Sequence, residues 1–130
     1  MSPQGHRIPG QRAHGGVLLV PCLLNDAYRY WLLADTGAAL TMLTPQVAQE
    51  VGLEPDRPVR QQRIASVHRT ALAPVLRLSS LQVGGQRAAD LDVIVTDMAI
   101  NLRLDGILGV NFLEQFRTTF EFDQSTLVLR

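Results

Sequence analysis

From residue 17 onward, apolar residues come in short runs cut by turn formers, a rhythm that predicts strands. Val17–Leu24 and Tyr28–Asp35 flank Asn25-Asp26-Ala27, which predicts a hairpin that leaves Asp35 at a strand end. Leu40-Thr41-Met42-Leu43 predicts another short strand. The spacing then turns helical. Thr44 is the N-cap, Pro45 the first helical position, and Val47, Ala48 and Val51 share one face. Gly52 ends that helix, with Leu53 as the apolar residue beyond the cap. Val59–Val67 and Arg69–Leu78 predict a second hairpin, and Leu81-Gln82-Val83 runs into the two-residue turn signal Gly84-Gly85. Leu91, Val93 and Val95 alternate with Asp92, Ile94 and Thr96, which predicts one core face. Asn111–Phe116 predicts a short helix. Phe120-Glu121-Phe122 and Thr126–Leu129 flank Asp123-Gln124-Ser125 as a closing hairpin. Strands dominate and no βαβ alternation appears, so the expectation is one mostly β domain over residues 17–130. Residues 1–16 are polar and rich in Gly, Pro and Arg, and predict a flexible N-terminal arm.

Composition narrows the function classes. With 130 residues, of which 46% are apolar, the chain can bury a core of its own. Twelve basic residues balance twelve acidic ones and aromatics are only 5%, which argues against nucleic acid and anionic membranes as partners. Cys22 is the single cysteine, so neither an internal disulfide nor a thiolate cluster can form. His6, His14 and His68 lack metal-ligand spacing, so no metal is expected. No secretory h-region precedes residue 17, and Val17–Leu24 is too short for a bilayer span and is broken by Pro21. A soluble, cytoplasmic protein with no membrane segment is the expectation. No Gly-x-Ser-x-Gly elbow is present, and Gly106-Ile107-Leu108-Gly109 lacks the lysine of a phosphate loop. Asp90, Asp92, Asp97 and Asp105 read as wet strand positions and turns.

Asp35-Thr36-Gly37-Ala38 is the segment that carries chemistry. It follows the apolar run Trp31-Leu32-Leu33-Ala34, and by itself it is an ordinary Asx turn. Ile107-Leu108-Gly109-Val110-Asn111-Phe112-Leu113, far downstream, is by itself a buried strand running into a helix. In this order, separated by a β-rich stretch, the two resemble the retropepsin-type aspartic proteases over about residues 17–130. The resemblance implies a closed acid-protease β-barrel with one or two short helices. It also implies a catalytic carboxylate at Asp35, with no metal or cofactor needed. Aspartic chemistry requires two facing carboxylates, and this motif occurs once, so the second Asp35 would come from another copy in a homodimer.

Other roles follow from the same resemblance. Thr36 matches the residue whose hydroxyl locks the two turns across the dimer, and Gly37 the position that lets the carboxylates approach. Ala38 stands where pepsin-like enzymes carry a hydroxyl, which implies a pH optimum less acidic than pepsin's. Ile64 to Thr70 takes the place of the flap hairpin, with its tip near Ser66-Val67-His68. That tip lacks the glycines usual in the family. Ile64, Ser66, Val67, His68, Ile107, Leu108 and Gly109 are thus the flap and pocket candidates for an extended peptide or protein substrate. The implied activity is peptide-bond hydrolysis by an aspartic endopeptidase. The alternative is an idle peptide-binding or dimerisation module that keeps the fold.

Overall fold

The computed structural model describes residues 5–65, 70–98 and 104–130, and its first strands lie where the sequence predicts an arm. β1 (His6–Pro9) pairs antiparallel with the last strand of the chain, Ile8 opposite Leu127. β2 (Gln11–Arg12) pairs with β3 (Leu18–Leu24). The arm is corrected to two strands because backbone pairing satisfies their polar groups, while Ile8, only 3% exposed, joins the core. The polar neighbours that suggested an arm point outward, Arg7 pairing with Glu121.

β3 and β4 (Tyr28–Ala34) form the expected hairpin. β5 (Thr41–Leu43) follows the 35–40 loop, then α1 (Pro45–Glu50). The Thr44 hydroxyl accepts the Val47 N–H at 3.2 Å, and the Leu53 N–H reaches the Ala48 carbonyl, so both ends of α1 close as predicted. β6 (Arg60–Ala65) pairs with β7 (Thr70–Val83), one continuous strand where the sequence suggested two segments. β8 (Gln86–Val95) returns through the Gly84-Gly85 turn. β9 (Gly106–Leu108), α2 (Val110–Leu113), β10 (Thr118–Glu121) and β11 (Thr126–Leu129) complete the chain.

Pairing runs β3-β4-β9-β5-β8-β7, and β7 returns to β3 through Leu23–Gln82 and Leu24–Leu81, which closes a six-stranded barrel. β1, β11 and β10 form a separate three-stranded sheet. Strand makes up 55% of the chain against 13% helix, a mostly β architecture. Leu32, Leu43, Leu78, Leu108 and Phe112 are fully buried in the main core. The single core face expected for β8 is corrected to two. Ile94 is also buried, in a second cluster with Ala73 and Val75 that Leu40, Met42 and Ile64 help cover. Among the described residues, no helix is long and apolar enough to cross a membrane.

Candidate functional site

Three short strands meet at Asp35. β9 runs parallel to β4, Ala34 opposite Leu108, and antiparallel to β5, Met42 opposite Ile107. β9 is thereby threaded between the strands that enter and leave the 35–40 loop. The Asp35 N–H donates to the Leu108 carbonyl at 3.0 Å, and Oδ1 of Asp35 accepts the Gly37 N–H at 2.8 Å, an Asx turn. Asp35 is half-buried, while Thr36 and Gly37 are exposed and Ala38 is buried. Val110 and Asn111 donate their N–H groups to the carbonyls of Ala38 and Ala39, tying α2 to the far limb of the loop. Gly109 is demanded by this threading. A Cβ there would stand 2.6–2.8 Å from the backbone of Leu40 and Thr41.

Beneath the loop lies a buried polar node that the motif reading did not single out. Thr41, 0% exposed, donates its hydroxyl to Asn111 Oδ1 at 2.9 Å and accepts the Gly109 N–H at 3.1 Å. The Thr41 N–H also goes to Asn111 Oδ1, at 2.8 Å, and Asn111 Nδ2 donates to the Asp92 carbonyl at 2.8 Å. One amide therefore joins β5, α2 and β8. Its signal was present in the sequence as polar residues inside the apolar runs 40–43 and 107–113.

A cavity lies on each side of the loop. On one side, an open pocket of about 410 Å³ lies between Asp35, Thr36, Gly16 and the stacked rings of Phe120 and Phe122. Arg12 lies 5.3 Å over the Phe122 ring and donates to the Phe122 carbonyl at 2.6 Å. On the other side, a groove of about 400 Å³ runs from Gly37 and Ala38 over Met42 and Ile94 to Ile64 and Arg60 on β6. Arg60 and Arg77 both bind Asp92, at 2.8 and 3.2 Å, and the Arg60 hydrogen bond holds its carboxyl below the usual aspartate range.

Of the flap and pocket candidates, Ile64 lines this groove. Ser66, Val67 and His68 lie outside the described residues. Ile107 is half-buried between Leu33 and Met42. Leu108 is 0% exposed and belongs to the core, because alternation along β9 turns it inward. Gly109 serves the threading and lines neither cavity. Arg60, Gln62, Phe120 and Phe122 were not foreseen as site residues, since only strand pairing brings them beside the loop.

A family model described as aspartyl protease matches residues 20–112. Among solved structures, a retropepsin-like aspartic protease from Rickettsia conorii superposes with a TM-score of 0.74 at 23% identity. That alignment covers 95% of this chain and 89% of the other. The retroviral protease-like domain of Ddi1 from Leishmania major gives 0.60 at 20% identity, covering 87% of each chain. No curated protein sequence matches the chain.

Proposed function

Because the chain belongs to the aspartyl protease family and has a retropepsin-like fold, we propose that it is an endopeptidase whose active site is shared by two copies. One Asp35 comes from each copy. The observation that carries this reading is the half-buried Asp35 carboxylate on an Asx turn, clamped by β9 and α2, with Thr36 exposed beside it. Asp35 is the only acid on either cavity among the described residues, so a carboxylate pair requires a second chain. Two carboxylates about 3 Å apart cannot both ionise and share one proton. The ionised member takes a proton from a water held between them. The protonated member donates to the scissile carbonyl, and a proton later passes to the leaving amine. The apolar residues of the groove suit the side chains of an extended peptide.

The test is Asp35→Asn and Asp35→Ala. Hydrolysis of peptides should disappear while circular dichroism and sedimentation stay as in the wild type, since the carboxylate contributes little packing. Peptidase activity surviving in purified Asp35→Ala overturns the mechanism. A wild type that binds peptides without cutting them identifies the chain as an idle binding module.

A further inference from the structure

We infer that the groove between the Asp35 loop and β6 selects peptides carrying an acidic side chain, and that Arg60 is the residue that reads it. Arg60, Gln62 and Ile64 alternate along β6 and so share one face, which Ile64 places on the cluster flooring the groove. The floor is apolar, with Met42 and Ile94, and among the described residues no acid lines it.

The charge at the far end is unbalanced. Arg60 Nη1 meets Asp92 Oδ2 at 2.8 Å, while Arg77 Nε and Nη2 meet the other oxygen at 3.2 Å. Two guanidiniums on one carboxylate leave one positive charge without a partner. Arg63, the next arginine along β6, is exposed and has no acidic partner among the described residues. The Arg60 side chain is 45% exposed and spends one of its donors on Asp92, which leaves the rest of a planar fork for a second carboxylate. Through the lateral row Met42, Ile94, Val75 and Arg60, this charge stands three strands from β5. The acid it meets therefore lies outside the two residues that flank the cut bond, and apolar side chains fill the groove nearer Asp35.

The inference deepens the peptidase reading and rests on it for its kinetic readout. Peptide mixtures varied one position at a time among Glu, Gln, Lys and Leu would be incubated with wild type, Arg60→Gln and Arg60→Glu, and the products quantified by mass spectrometry. At one position outside the cut pair, wild type should prefer Glu over Gln by about tenfold in kcat/KM, the scale of one charge-assisted contact at a partly exposed site. Arg60→Gln should abolish that preference, and Arg60→Glu should turn it toward Lys. Asp92 keeps Arg77 in both variants, and matching melting curves would verify that the fold is retained. Equal cleavage of Glu, Gln and Lys peptides by wild type, or a preference that survives Arg60→Gln, overturns the assignment. The same peptides would be titrated onto Asp35→Asn protein by fluorescence anisotropy. Arg60-dependent binding of the Glu peptides without wild-type cleavage would reject the peptidase reading and support the groove assignment. Binding with no Arg60 dependence would reject the groove assignment.

Discussion

Asn111 and Asp105 show how single side chains set the strength of the site's supports. Asn111 holds three groups at once, the Thr41 N–H, the Thr41 hydroxyl and the Asp92 carbonyl. Truncating it removes the partner of two donors and one acceptor, at about 1–3 kcal/mol for each buried group left unsatisfied. Asn111→Ala should therefore lower stability in urea unfolding by roughly that amount or more. Activity should fall further than the lost stability explains, because the 35–40 loop rests on this node. Unchanged unfolding would show that the node is replaceable. Asp105 acts in the opposite sense. Burial pushes its carboxyl above the usual aspartate range and the nearby Glu50 adds to this, against a Trp31 backbone hydrogen bond that lowers it. A folded-state pKa raised above the unfolded one means that the ionised group opposes folding at neutral pH. That cost disappears as pH falls through the raised value toward the unfolded value of about 4. Asp105→Asn should raise the melting temperature at pH 7 and give little gain near pH 3. Thermal melts at the two pH values decide it, and an equal effect at both contradicts the assigned cause.

At the scale of elements, the threading of β9 through the loop leaves no room at its end. The methyl of Gly109→Ala would press on the Leu40 carbonyl and the Thr41 amide, backbone groups that cannot rotate away. Overpacking of this kind costs about 1–3 kcal/mol. Leu40 belongs to the 35–40 loop that begins at Asp35, and Leu108, next to Gly109, accepts the Asp35 N–H. Melting temperature and kcat should fall together, whereas a variant that melts like wild type would mean that the loop can give way. α1 is built differently. Its cap, its buried face of Val47 and Ala48, and its Gly52 terminus all lie within one short segment, which is why it was readable from local signals.

For the whole molecule, the decisive prediction concerns concentration. If one site needs two chains, specific activity follows the dimer fraction and falls on dilution. Excess Asp35→Asn protein mixed with wild type should suppress activity, because mixed dimers hold a single competent carboxylate. The pH profile should be a bell, since the doubly ionised and doubly protonated pairs are both idle. Activity that stays constant per chain where sedimentation finds only monomer would refute the shared site.

The residue order alone determined what depends on near neighbours. Strand alternation, the cap and terminus of α1, the Gly84-Gly85 turn and the Asx turn at Asp35 are each written within a few positions, because periodicity and backbone preference act locally. The resemblance of two distant motifs then pointed to the closed barrel. Tertiary structure decided the rest. His6–Pro9 and Gln11–Arg12 became strands because β11 and β3 offered edges to pair with, and Ile94 was buried because β5, β6 and β7 brought apolar partners to its face. Thr41 and Asn111 meet across 70 positions, and the unbalanced charge at Asp92 joins residues from three strands. Such contacts leave no period in the sequence. Their energies depend on which surfaces the folded barrel sets face to face.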